Sequence, residues 1–372
     1  MPAFSLAPAL SLFAAFRRVS PVRPLETFVR TTEERFRPRR LTPHVTAESR
    51  AETAVLARGT AGLHQRATIL RETGRGRMPT IVLGGLVPNA TEQVFLLRRF
   101  FLRTGDLYYF NYPPQGFSLE LAYAQLDDLV AELAAQGERP VLFAVSFGAG
   151  LALEWLRRTR LAGRIAPIAG LVLVSPVACV EDVIAPGASK PRTLLGRALK
   201  PFLDDRPANE AMIEKSRVIF TRMFEAGAQN KASLRFLLTQ PELIYLRDAV
   251  IGAIRGISNE GARERVQALR TMVAPTKYFS QALLPLTEAP VLVLFAESEE
   301  AVLDAASPTR FAFESAHRAY FPQGRVECVS VSPGGAPVQH ASLIFHVFEF
   351  LKPLNGFYSR LRAPRVRTAD AA

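Results

Sequence analysis

With 372 residues, nearly half of them hydrophobic, the chain can bury a sizeable core, which excludes a largely disordered protein. It carries a net charge of +12 and two cysteines, Cys179 and Cys328, which excludes a disulfide framework and a four-cysteine zinc site and suits a reducing, cytoplasmic setting. No apolar run reaches the ~20 residues that span a bilayer.

The charge is unevenly placed. Residues 1–78 hold 14 Arg against 6 acids and residues 352–372 hold 5 basic residues against Asp370, so the two ends carry the whole surplus. A nucleic-acid enzyme more often has its charge around the working cleft, so no specific nucleic-acid partner is expected. Basic ends fit an anionic membrane surface, or simply solvated tails. Residues 1–16 are apolar apart from Ser5 and Ser11, and Arg17 and Arg18 follow them. A secretory signal has the opposite order, so the expectation is an interfacial segment lying on lipid or on the protein's own surface. Residues 20–50, rich in Pro and Arg, read as a linker or wrapping arm.

Short strands are predicted at Ala54–Ala57 and Arg66–Arg71. Thr80–Leu83, ending in Gly84-Gly85, reads as a strand buried on both faces. Helical spacing runs through Glu92–Arg103. Then come a strand at Asp106–Tyr112, a helix at Leu119–Ala135, a strand at Pro140–Val145, a helix at Phe147–Thr159 and a strand at Ile168–Pro176. This alternation predicts a mostly parallel, doubly wound sheet with helices on both faces. Residues 179–288 break the rhythm with helical stretches alone: Thr193–Phe202, Asn209–Glu225, Lys231–Leu238, Pro241–Ile254 and Glu260–Met272. So long an insertion reads as a lid and not a connection. A strand at Pro290–Phe295, a helix at Thr309–Tyr320, a strand at Arg325–Val331 and a helix from about Ala341 complete the pattern.

In the run Val141–Gly150 an apolar strand meets Ser146 and passes directly into a helix, with Ala144 two residues before and Gly148 two after. A serine in such a strained elbow tolerates only small neighbours there. The competing readings are a helix N-cap and a phosphate loop, but the dinucleotide fingerprint fails at Leu153. The motif resembles the α/β-hydrolase fold superfamily over roughly residues 53–360. The stretch Asn111–Ser118 is similar to that superfamily's D-x-x-G-x-G-x-S loop.

The resemblance implies the order serine, acid, histidine. His340, after the last strand, falls on the base. His346 reads as a helix-face residue, and His44, His64 and His317 lie elsewhere. Glu299, four residues after the strand at 290–295, falls on the acid, with Ala296 where a glycine is common. Glu297, Glu300 and Asp304 are rivals, and Glu181 and Asp182 follow the previous strand. The implied oxyanion donors are the amides of Leu86 and Phe147, with Gly84 standing where relatives often have histidine.

The expected plan is a basic, partly apolar arm (1–52), a catalytic domain (53–178 and 289–360), a helical lid (179–288) and a basic tail (361–372). The implied function is hydrolysis of carboxylic esters through an acyl-enzyme on Ser146, His340 and Glu299. Thioesterase or acyltransferase chemistry uses the same machinery, and a non-catalytic binding module is the third reading. Haloalkane and epoxide chemistry need an aspartate where Ser146 stands. No metal or cofactor is called for. The expected partner is a small ester or acyl substrate, with peripheral contact to an anionic membrane. Phe117, Phe147 and the Phe-rich insertion are expected to line an apolar pocket.

Overall fold

The computed structural model describes residues 41–188, 190–203, 209–227, 238–331 and 335–362. The arm up to residue 40, most of the helix expected at Lys231–Leu238, and the tail beyond Arg362 lie outside the described residues.

Eight strands form one sheet in the order β1-β2-β4-β3-β5-β6-β7-β8. These are β1 (Thr42–Pro43), β2 (Thr68–Glu72), β3 (Thr80–Leu83), β4 (Leu107–Asn111), β5 (Val141–Val145), β6 (Gly170–Val174), β7 (Val291–Ala296) and β8 (Gly324–Val329). The β1/β2 and β2/β4 pairs are antiparallel and all others parallel. The continuous apolar runs at β3, β5, β6 and β7 are buried along their whole length. Alternate side chains feed two cores, as the two-residue period of a strand requires. Leu142, Ala144, Val293 and Phe295 face one core, while Phe143, Val145, Leu292 and Leu294 face the other.

Helices cover both faces. The first core takes α4 (Leu119–Ala135), α5 (Phe147–Leu161) and α10 (Pro308–Tyr320). The second takes the short α2 (Ala90–Gln93) and α3 (Arg98–Phe101), together with α11 (Val347–Arg362). Between β6 and β7 come α6 (Leu194–Leu203), α7 (Glu210–Gly227), α8 (Gln240–Gly256) and α9 (Asn259–Thr271).

Three local expectations are corrected. Ala54–Ala57 is not a strand but the end of helix α1 (Arg50–Ala57). The amides of Ala51 and Glu52 donate to the Asp128 carboxylate at 3.0 and 2.9 Å, a favourable charge for a helix N-terminus, and Val55 packs on Leu121 and Ala124. The helix expected over 92–103 is split into α2 and α3 by a turn that buries Val94 and Leu97. The last helix starts at Val347 and not near Ala341, because Ala341 adopts φ 50°.

Candidate active site

Ser146 lies between β5 and α5 at φ 51°, ψ −115°, a conformation that a side chain makes costly. Its amide stays tied to the sheet edge through Val174 O at 2.8 Å. The helix that follows packs so tightly on the β3 end that a Cβ at Gly148 would stand 2.3 Å from Leu83 O and 2.4 Å from Gly84 O. That contact, with Ala144 fully buried beneath, is the steric reason for the small residues flanking the serine. Two other non-glycine residues among those described have positive φ, Ser175 at 45° and Ala341 at 50°, and both belong to the same site.

His340 Nε2 lies 2.9 Å from Ser146 Oγ, across 194 residues of sequence. Its Nδ1 is hydrogen-bonded to Glu299 Oε2. Glu299 is 1% exposed, and its other oxygen accepts from the Ser175 hydroxyl and the Ala296 amide, each at 2.7 Å. Ser175 Oγ also accepts from the Ala341 amide at 3.1 Å. The positive φ of Ala341 thus turns the chain just past His340 back onto Ser175, which is where the expected helix is lost. The loop bearing His340 is joined to the loop bearing Glu299 by a bridge between Ser298 and Gln339, with the Ser298 amide on Val338 O at 3.0 Å.

The rival acids have other partners. Glu297 Oε1 accepts from the Val338 amide at 2.7 Å and so holds the histidine loop from behind. Glu300 lines the cavity described below. Asp304 accepts from the Ala306 amide at 3.0 Å. Asp182 is fully buried and accepts from the amides of Ala178, Cys179 and Thr309 and the hydroxyls of Ser307 and Thr309. Burial pushes its pKa up, and those donors oppose the rise. Glu181 sits half-buried beside Cys179, whose thiol is pushed up mainly by burial and then by the Asp182 charge. His346 is not on a helix face. It precedes α11 and bonds Ser342 Oγ at 2.9 Å and Ala336 O at 3.1 Å.

The Phe147 amide opens α5, where a helix has no internal acceptor and a favourable dipole for an anion. The Leu86 amide belongs to the loop after β3, beside Ser146, whose Cβ lies 3.5 Å from where a Gly85 Cβ would be. Among the described residues neither amide donates to a protein acceptor.

Ser146 and His340 open into a cavity of about 430 Å³. Its walls come largely from the helices between β6 and β7, through Leu195, Phe220, Met223, Phe224 and Ile254, and from Phe345 after His340. Phe117 and Phe147, expected in this wall, instead lie below it. They form an edge-to-face trio with Tyr112 at ring separations of 5.5–5.8 Å, fully within the core. Sequence reasoning did not single out Ser175, because its partners stand 124 and 166 residues away and a lone serine after a strand carries no pattern. Arg265, which reaches Leu86 O at 2.6 Å, was missed for the same reason, and Gln93, which accepts from the Gly85 amide at 2.8 Å, because a lone glutamine in a short helix carries no pattern either.

Residues 93–348 match the family model described as alpha/beta hydrolase family. No curated protein matches the sequence. Among solved structures, the chain is similar to an esterase from Exiguobacterium antarcticum, at 16% identity and TM-score 0.50 over 80% of this chain and 96% of that one. It is similar to an esterase from Rhodococcus sp. ECU1013, at 17% identity and TM-score 0.51 over 79% and 96%. A membrane phospholipase A, described as a bacterial virulence factor, aligns over 96% of this chain and 93% of its own, at 13% identity and TM-score 0.51. At these identities the likeness is one of fold.

Proposed function

Since this chain belongs to the alpha/beta hydrolase family, we propose that it is a carboxylic ester hydrolase working through an acyl-enzyme on Ser146, with His340 as base and Glu299 as the acid that orients it. The observation that carries the reading is the continuous hydrogen-bonded line from Ser146 Oγ through both nitrogens of His340 to Glu299.

Ser146 Oγ attacks the ester carbonyl while His340 Nε2 takes its proton. Glu299 keeps the Nδ1–H tautomer and stabilises the imidazolium. The amides of Leu86 and Phe147 receive the oxyanion, and His340 returns the proton to the departing alcohol. Water then attacks the acyl carbon as His340 Nε2 takes its proton, and His340 passes that proton to Ser146 Oγ as the acyl–oxygen bond breaks and the carboxylic acid leaves. Ser175 supports this unit by donating to Glu299 and receiving the Ala341 amide.

The apolar walls of the cavity favour an uncharged acyl chain over a small ionic acid, and the helices of residues 179–288 act as its lid. The arm before residue 41 supplies peripheral contact with anionic lipid, through Leu10, Phe13, Arg17 and Arg18. A serine-directed fluorophosphonate tests the central claim. It should label the full chain at Ser146 and leave Ser146→Ala unlabelled. Unlabelled wild type, or ester turnover that survives Ser146→Ala, overturns the reading. Thioester substrates and added alcohol acceptors in the same assay separate ester hydrolysis from the thioesterase and acyltransferase alternatives.

A further inference from the structure

Arg265 lies on α9, is 4% exposed, and has no carboxylate partner among the described residues. Burying a guanidinium with only neutral acceptors is unfavourable unless the geometry is needed. The acceptors here are three main-chain carbonyls. Arg265 donates to Leu86 O at 2.6 Å, Pro113 O at 3.0 Å and Tyr112 O at 3.3 Å, and its guanidinium lies 5.7 Å from the Tyr112 ring centre. The hydroxyl of that same tyrosine donates to Gly84 O at 3.0 Å.

The loop held in this way contains two glycines in succession, Gly84 and Gly85, and glycine backbone is intrinsically free to rotate. At Gly84 the freedom serves a close approach, since a Cβ would come within 3.0 Å of the Ala90 amide. The loop is gripped from outside at three successive residues: Gly84 O by Tyr112, the Gly85 amide by Gln93, and Leu86 O by Arg265.

The helix that carries Arg265 is itself bolted to the body of the protein. The Ser258 amide bonds Pro114 O at 2.9 Å, Gln65 bonds Glu264 at 2.7 Å, and Glu264 also accepts from the Phe117 amide. A Cβ at Gly261 would stand 2.3 Å from Pro114 O. So α9 is a fixed support. Burial pulls the arginine's pKa down to about 10, which leaves it charged at neutral pH.

We propose that Arg265 is a positioning residue for the oxyanion site: by holding the Leu86 carbonyl it limits the rotation of Leu86 and keeps the Leu86 amide aimed at the oxygen of the carbonyl that Ser146 attacks. This rests on the reading of Leu86 and Phe147 as oxyanion donors. A charged group held on the Leu86 carbonyl fixes the peptide plane that follows the Leu86 amide, and with the Gly85 amide held by Gln93 on the other side the donor loses its freedom before the reaction begins, which is what preorganised stabilisation requires.

The experiment compares wild type, Arg265→Met, Arg265→Lys, Arg265→Ala and Ser146→Ala as full chains on a p-nitrophenyl ester, with a trifluoromethyl ketone as tetrahedral analogue. Arg265→Met should lower kcat about 30-fold, short of the roughly 10²–10³ lost when a donor is removed outright, with KM changed less than about threefold. It should weaken the ketone by a similar factor but leave binding of the carboxylic acid product unchanged. Arg265→Lys should recover part of kcat. Added methylguanidinium should restore part of kcat to Arg265→Ala while leaving Ser146→Ala inactive. Wild-type kcat and ketone affinity in Arg265→Met overturn the proposal. So does a loss of kcat matched by equal loss of product-acid binding and unmoved by methylguanidinium, which marks a merely structural arginine. If instead Ser146→Ala keeps its activity, the hydrolase reading fails and takes this proposal with it.

Discussion

A serine hydroxyl at neutral pH is a weak nucleophile, and in the proposed unit Ser146 is activated by one histidine placed by one carboxylate. Ser146→Ala and His340→Ala should each lower kcat by about a millionfold, and the double variant should be scarcely worse, because members of such a unit are not additive. Glu299→Gln should cost about ten-thousandfold, since orientation and charge stabilisation go but the proton acceptor stays. Burst and steady-state kinetics on a p-nitrophenyl ester read all four; a Glu299→Gln enzyme as fast as wild type would remove Glu299 from the unit. Gly148 makes a different kind of residue-scale claim. A methyl group there meets two main-chain carbonyl oxygens at 2.3 and 2.4 Å, and neither belongs to a side chain that can rotate away. Gly148→Ala should therefore cost about 3 kcal/mol in urea unfolding, as overpacking does at its upper range, and slow turnover by displacing Ser146.

At the scale of elements, the links between strands and their neighbours carry titratable groups. His44 follows β1, meets the edge of the Tyr108 ring at 5.1 Å and lies 3.2 Å from Glu132. Burial lowers its pKa, and the attraction of Glu132 only partly opposes this. The unfolded chain takes up that proton near pH 6.5 while the folded chain resists it, so protons favour unfolding. The His44 contribution is present above about pH 6.5 and is lost as pH falls through the lower, folded value. His44→Gln should then flatten the fall in melting temperature between pH 7 and 5.5, and calorimetry at the two pH values measures it. Asp182 ties the turn after β6 to the start of α10 through five donors. An amide at Asp182→Asn turns an NH₂ toward some of them, so the variant should lose about 2–3 kcal/mol while the folded fraction keeps full kcat. Inactivation of the folded fraction would instead bring Asp182 into the chemistry.

At the scale of the whole molecule, the proposed substrate class follows from the cavity, whose volume of about 430 Å³ and apolar walls leave room for a medium-length acyl chain. Turnover of p-nitrophenyl esters, read as kcat/KM, should rise from acetate toward medium chains, and Ile254→Phe should move the optimum to shorter ones. Better turnover of short charged esters would contradict this. Among the described residues no helix is long and apolar enough to cross a membrane. For the surface contact proposed for the arm, removing residues 1–25 should abolish sedimentation with anionic vesicles. Equal sedimentation of the full and shortened chains would leave the arm without that role.

Much of the architecture is legible in the linear chain because it depends on local periodicity. Apolar runs such as Leu171–Val174 and Val291–Phe295 between turn residues read as buried strands, and the step from Val145 through Ser146 into Phe147 reads as a tight elbow between small residues. The sequence by itself therefore determined the parallel sheet, the helices between β6 and β7, and the candidates Ser146, His340 and Glu299 in their chain order. It left the acid open among six carboxylates, because Glu297, Glu299 and Asp182 differ in function only through the atoms that surround them. Tertiary structure gives them different partners: Glu299 Oε2 meets His340, Glu297 holds the loop behind it, and Asp182 is consumed by five donors. It also decided that Arg50–Ala57 is a helix, through the Asp128 carboxylate at its start, and that Phe117 and Phe147 pack with Tyr112 and stay out of the cavity. The physical reason is common to all of these. Periodicity is a property of neighbours in sequence, whereas a hydrogen bond between Ser175 and Glu299, or between Arg265 and Leu86, exists only once the sheet has brought residues more than a hundred positions apart within 3 Å.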